Sequence, residues 1–180
     1  MSDTTLAEAG IIIRPATHDD VDTMVGFRVR MFREMGWSDE SRYELFVPAA
    51  TGHLHEAFSA ATCNGFIAEE TGADGERTII GTVALVWQQV APTVRNVEGR
   101  VAYVLGMYVV PEQRRRGIAR ALMNATIDCA TEKRAPLITL HASDEGRILY
   151  EQLGFTAAPE MRLFTDHALP SAWVPAYDAD

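Results

Sequence analysis

The segment VVPEQRRRGIARALM, Val109 to Met123, places three arginines and a glycine between an apolar run and an amphipathic stretch. Pro111 ends the apolar run, because it lacks a backbone donor. Arg114, Arg115 and Arg116 form a short basic loop, and Gly117 opens the next element. The first N–H groups of a helix have no internal acceptor. With the helix dipole they carry about half a positive charge. A strand, a loop with glycine and a helix start therefore make a cradle for an anion, phosphate above all. Gly117 and Ala119 leave room for close approach to the backbone. The segment lacks the GK[ST] ending of a nucleotide P-loop and the GxGxxG of a dinucleotide fold. The plain alternative is a solvated basic loop with a glycine that eases a turn.

A second segment, LHASDEGRILYEQLGF, Leu140 to Phe155, carries Tyr150 on a short helix. A phenol with pKa near 10 can give a proton to a thiolate leaving group of pKa about 8.5 if it is held in place. The alternative for Tyr150 is packing between helix and sheet.

The elements that must position these residues follow from periodicity. Ile11 to Arg14 reads as a strand stopped by Pro15. Thr17 offers a helix cap, with Asp19 and Asp20 in the first turn, and apolar spacing carries a first helix from Val21 to about Gly36. Trp37 to Pro48 reads as irregular and Thr51 to Thr62 as a second helix. Phe66 to Glu69 and Thr78 to Trp87 read as a hairpin. Val101 to Val110 is apolar on both faces, the pattern of a central strand covered on both sides. Ile118, Leu122, Ala125 and Cys129 form one buried stripe on a helix closed by Pro136. Leu137 to His141 is a further strand, and Ser143 or Asp144 caps a short helix with Gly154 as its left-handed stop. Last strands are expected at Phe155 and Met161 to Phe164. The order gives an α/β fold, one mixed sheet with helices on its faces.

Length and charge bound the function. At 180 residues one domain is expected. The net charge of -9 excludes a general nucleic-acid binder, which needs a basic face. No apolar run reaches the roughly 20 residues of a membrane helix, and the polar, acidic start is unlike a signal peptide. Cys63 and Cys129 form no CxxC pair, which fits reduced thiols and a cytoplasmic location. His53 and His55 lack HExxH spacing and cysteine neighbours, so no metal site is expected.

The basic loop resembles the coenzyme A pyrophosphate loop of the GNAT superfamily of N-acetyltransferases. The pattern there is Arg or Gln, two residues, Gly, one residue, Gly or Ala, and Arg114, Gly117 and Ala119 match it. LYEQLGF, Leu149 to Phe155, resembles the second signature of that family, and IRPAT, Ile13 to Thr17, its opening strand and turn. The resemblance spans about residues 11–164. It implies a mixed, mostly antiparallel sheet of six to seven strands with a splayed central strand and helices on both faces. It also implies a leader over residues 1–10, one acetyltransferase domain over 11–168 and a tail over 169–180.

The site implied is as follows. Met107, Tyr108 and Val109 offer backbone groups to the pantetheine arm. Backbone N–H groups from Arg114 through Arg115, Arg116, Gly117, Ile118 and Ala119 to Arg120 hold the pyrophosphate. Tyr150 matches the tyrosine that approaches the coenzyme A sulfur and serves as acid. Ser143 stands where relatives often carry Asn. The reaction implied is direct attack of an amine on the thioester of acetyl-CoA, with no metal. The acceptor is a small-molecule or protein amine, favoured if cationic by the acidic charge, and a homodimer is common among relatives. The second reading is a non-catalytic acyl-CoA sensor of the same fold. Relatives use a Glu base where Tyr103 stands, and Glu98, His141 or water remain as alternatives. Glu34 and Trp37 border the expected acceptor site.

Overall fold

The computed structural model describes residues 3–161. These fall into two compact units, one ending at His141 and the other beginning at Ala142. The first holds α1 (Asp3–Glu8), β1 (Ile11–Pro15), a 3-10 turn (His18–Asp20), α2 (Val21–Glu34), α3 (Glu40–Ser59), β2 (Cys63–Thr71), β3 (Arg77–Gln89), β4 (Arg100–Val109), a second 3-10 turn (Pro111–Gln113), α4 (Ile118–Glu132) and β5 (Ile138–Leu140). The second holds α5 (Asp144–Gln152).

The sheet order is β1-β2-β3-β4-β5. The first three pairings are antiparallel and β4 with β5 is parallel. Alternate residues of a strand face opposite sides, and both sides are covered. Cys63, Ile67, Ala84 and Val86 share one core with Val21, Met24 and Val25 of α2 and Ala50, Leu54 and Ala57 of α3. Gly81 of β3 faces the other way, where a Cβ would lie 3.2 Å from Leu122 of α4. Ile118, Leu122 and Met123 of α4 are almost wholly buried, as their spacing requires.

Two irregularities shape β4. Thr82 pairs with Tyr108 and Ala84 with Leu105, so Val83 stands opposite both Gly106 and Met107 in a bulge. Gly106 takes φ +64°, a left-handed conformation that glycine adopts without strain. The ladder with β5 joins only Ala102, Tyr103 and Val104 to Ile138, Thr139 and Leu140. From Leu105 to Val109, β4 pairs with β3 alone among the described residues.

An ion cluster closes the start of the sheet. Arg14 grips Asp20 with two nitrogens at 2.7 Å each, and its Nε donates to Glu69 at 2.8 Å. Asp20 also accepts the backbone N–H of Thr17 at 2.7 Å. Asp20 and Glu69 are buried. The hydrogen bonds from Arg14 outweigh burial and hold the Asp20 carboxyl below the ordinary carboxylate range.

The structure corrects three expectations. The sheet has five strands among the described residues, not six to seven. Phe155 follows left-handed Gly154 (φ +91°), and no strand forms through Met161. Ala157, Ala158 and Pro159 supply no β-branched packing there, and Pro159 no donor. Residues 162–164 and the tail lie outside the described residues. The stretch expected to be irregular is the first half of α3. Asp39 caps it by accepting from the Ser41 N–H at 3.1 Å and hydroxyl at 2.6 Å, and the helix runs through Pro48. Within the expected leader, Asp3–Glu8 is helical, and Leu6 is buried.

Candidate active site

The basic loop joins β4 to α4. Gly117 (φ +84°) caps α4, and Arg115 (φ +66°) is also left-handed. Left-handed residues at 115 and 117 curl the loop into a concave run of backbone N–H groups. A non-glycine residue held there costs of order 1–3 kcal/mol, a cost that recurs at ligand sites. The first intrahelical bond of α4 runs from the Ala121 N–H to the Gly117 carbonyl, 3.0 Å. The N–H groups of Ile118, Ala119 and Arg120 precede it and have no acceptor within their own helix.

The arginine side chains do a different job from the backbone. Nε of Arg114 donates to the Val109 carbonyl at 2.9 Å, and its NH2 pairs with Glu34 at 2.5 Å. Glu34 also accepts the Tyr108 hydroxyl at 2.6 Å. Burial pushes the Glu34 carboxyl up, but the bonds from Tyr108 and Arg114 win and hold it below its ordinary value. Burial first, and then Glu34, pushes the Tyr108 phenol up to about 12. Arg116 donates to Glu70 at 2.7 Å and to the side-chain oxygen of Gln113, whose nitrogen donates to the same carboxylate at 2.7 Å. Two carboxylates from α2 and β2 thus clamp the loop on either side. Glu34 is a brace for the loop, where sequence had suggested an acceptor contact. Trp37 stacks on Phe32 (4.6 Å between rings), and its carbonyl accepts the Tyr43 hydroxyl at 2.7 Å.

The splayed edge adjoins this loop. Val110 N–H bonds to Ile80 across β3 at 3.0 Å, so by strand alternation the N–H and carbonyl of Val109 point to the opposite, opened side. Met107 lies in the bulge and Tyr108 just past it. Tyr103 leaves the paired end of β4, and its hydroxyl lies 2.7 Å from Nδ1 of His141, just past β5. Glu98 is exposed and precedes β4, and Arg100 to Gly106 alone spans roughly 20 Å of strand.

In the second unit, Ser143 spends its hydroxyl on the cap of α5, accepting from the Gly146 N–H at 3.2 Å. Tyr150 is buried on α5 and meets Phe155 edge-on at 5.9 Å. Burial raises its phenol pKa. The sequence reading missed Glu70, Gln113 and the brace role of Glu34. The pairings of Glu70 and Glu34 join residues 43 to 80 positions apart, and no local spacing announces them. Among the described residues no cluster of three or more His, Cys, Asp or Glu could hold a metal, and no helix is long and apolar enough to cross a membrane.

Known structures share this fold. A GCN5-related N-acetyltransferase from Ralstonia eutropha is 27% identical, with 87% of this chain and 99% of that one aligned at a TM-score of 0.77. A predicted acetyltransferase from Clostridium acetobutylicum, solved with acetyl-CoA, is 26% identical over 86% and 96% of the two chains, at a TM-score of 0.75. An aminoglycoside N-acetyltransferase in complex with a bisubstrate analogue, 22% identical over 88% and 99%, shares the fold at a TM-score of 0.62. No protein of curated function matches the chain. The model of the acetyltransferase (GNAT) family matches residues 29–155, which take in the bulged strand, the clamped loop and α5. A match over more than half the length, on the elements that build the cradle, makes the chain a member of the GNAT acetyltransferase family.

Proposed function

We propose that the chain is an acetyl-CoA-dependent N-acetyltransferase, one domain over residues 11–168, that moves the acetyl group to a primary amine by direct attack in a ternary complex. The observation that carries this is the clamped loop at 114–120 beside the opened edge of β4. The N–H groups from Arg114 to Arg120 take the pyrophosphate. The edge at Met107, Tyr108 and Val109 takes the pantetheine arm as a strand would be taken. The Val109 N–H, aimed at the open side, donates to the oxyanion that forms as the amine attacks.

A primary amine with pKa near 10.4 needs about 4.6 kcal/mol to reach its neutral form at pH 7. Tyr103 and His141, hydrogen-bonded to each other at 2.7 Å, form a pair that can pass this proton to solvent. Glu98 stands too far along the strand. Tyr150, kept protonated by burial, gives its proton to the departing thiolate. Ser143, already committed to its cap, contributes position more than a side-chain contact. An amine is cationic in water, and the net charge of -9 favours its approach.

The test is a melting experiment followed by turnover. Acetyl-CoA at 100 times its Kd stabilises by about 2.7 kcal/mol, which raises Tm by about 5–10 °C at this chain length. A shift with ATP and none with acetyl-CoA overturns the proposal. Thiol release across an amine panel then separates an enzyme from an acyl-CoA sensor. Tyr150→Phe with intact binding and unchanged turnover removes Tyr150 as the acid.

A further inference from the structure

Arg28 sits at the centre of α2 with its guanidinium between the rings of Phe32 (5.6 Å) and Phe46 (5.1 Å). Its methylenes lie against the β4 bulge, where a Cβ on Gly106 would be 3.1 Å from Cγ of Arg28. The residue is largely enclosed, and its Nε is a buried donor with no acceptor. Two other partly buried arginines are held by carboxylates, Arg14 by Asp20 and Glu69 and Arg116 by Glu70, while Arg100 donates to the Lys133 carbonyl at 3.0 Å. Arg28 forms no ion pair among the described residues, although the chain carries 25 Asp and Glu. A buried donor without an acceptor is costly. Burial accordingly lowers the Arg28 pKa, offset in part by Tyr103.

Arg28 borders Leu105 and Gly106, the first residues of β4 past its ladder with β5. The phosphate cradle is at the far end of the same strand, after Val109, and has its own arginines. We infer that Arg28 is an anion subsite for the acceptor: the amine acetylated by this chain also bears a carboxylate or a phosphate, which binds the Arg28 guanidinium. A charged hydrogen bond of this kind in an enclosed site discriminates strongly against a ligand that lacks the anion. An aminoglycoside or a polyamine offers Arg28 only like charge. This inference rests on the acetyltransferase reading and sharpens its substrate class.

The experiment uses the full chain with acetyl-CoA and matched pairs of primary amines. Amino acids are paired with their amides, and amino-alcohol phosphates with the parent amino alcohols. Thiol release gives kcat and KM for each, and one aminoglycoside is included. The expected result is a kcat/KM at least tenfold higher for the anionic member of a pair, carried by KM. Arg28→Met abolishes that preference, while Arg28→Lys keeps part of it. Preference for carboxylates or for phosphates tells the two sources apart. Equal rates within every pair, a preference that Arg28→Met leaves intact, or turnover confined to amines without an anion overturns the inference. The acetyl-CoA melting shift is measured on each variant. If it persists while the pairs fail to differ, the anion subsite falls and the acetyltransferase reading stands; if it is absent from the unaltered protein, both fall.

Discussion

Glu34 carries two tasks at once, since one carboxylate takes both the Arg114 guanidinium and the Tyr108 hydroxyl. The ion pair is nearly half exposed on both sides, so its worth to folding is within about 1 kcal/mol. Its worth to the loop is larger, because Arg114 in turn holds the Val109 carbonyl. Glu34→Gln is expected to leave Tm within about 3 °C, to raise KM for acetyl-CoA severalfold and to leave kcat nearly unchanged. Steady-state kinetics at fixed amine check this. Tyr108→Phe removes a bond to a charged acceptor from a buried site and should cost about 1.5–3 kcal/mol in urea unfolding. The phenol gives a pH signature as well. Its folded pKa is raised above its unfolded value, so its contribution is complete below pH 10 and fades as pH climbs through about 12. Tyrosinate absorbance should therefore show a component that titrates through about pH 12 and disappears in Tyr108→Phe. The turn into α4 was legible at this scale: Gly117 after the arginine run announces a left-handed helix cap by type and spacing. The side-chain partners of the arginines were not legible, because Glu34 and Glu70 come from other elements and look like ordinary surface acids.

At the scale of elements, the bulge in β4 matters most. Gly106 is left-handed, and any Cβ there presses on the stem of Arg28. Gly106→Ala should destabilise by about 1–3 kcal/mol. It should also disturb Arg28, with KM for the acceptor rising more than KM for acetyl-CoA. Chemical denaturation and two-substrate kinetics on the same variant separate these effects. Sequence periodicity gave the strands and the stripe of α4 because burial on alternate or helical spacing writes itself into residue type. It could not give the bulge, since a glycine inside an apolar run marks a bulge or a close packing contact equally well. It also mistook the start of α3. Pro48 suggested an interruption, whereas the cap at Asp39 and the burial of Tyr43 and Ala50 outweigh the one backbone bond that proline removes.

For the molecule as a whole, acid stability hinges on the Arg14 cluster that ties β1, the turn before α2 and β2. The Asp20 carboxyl has a folded pKa below its unfolded value. Its contribution is present above the ordinary value of 3.8 and is lost as pH falls through the folded pKa. Asp20→Asn should lower Tm at pH 7, and the deficit relative to the unaltered chain should shrink below pH 4. Calorimetry over pH 3–7 checks both the drop and its narrowing. The five-strand count shows where sequence reading ends at this scale: a last strand needs β-branched residues and free donors, and 155–161 offer Pro159 between small and polar neighbours.

The half-finished ladder between β4 and β5 has a consequence for handling the protein. A β-strand rim that has no strand partner among the described residues, as from Leu105 to Tyr108, invites an extended peptide to zip onto it, including the same segment of another molecule. The coenzyme arm, laid along that rim, would act as a stopper against such stacking. Light scattering of concentrated samples should therefore show slower clumping with desulfo-coenzyme A present, even though that compound cannot transfer anything.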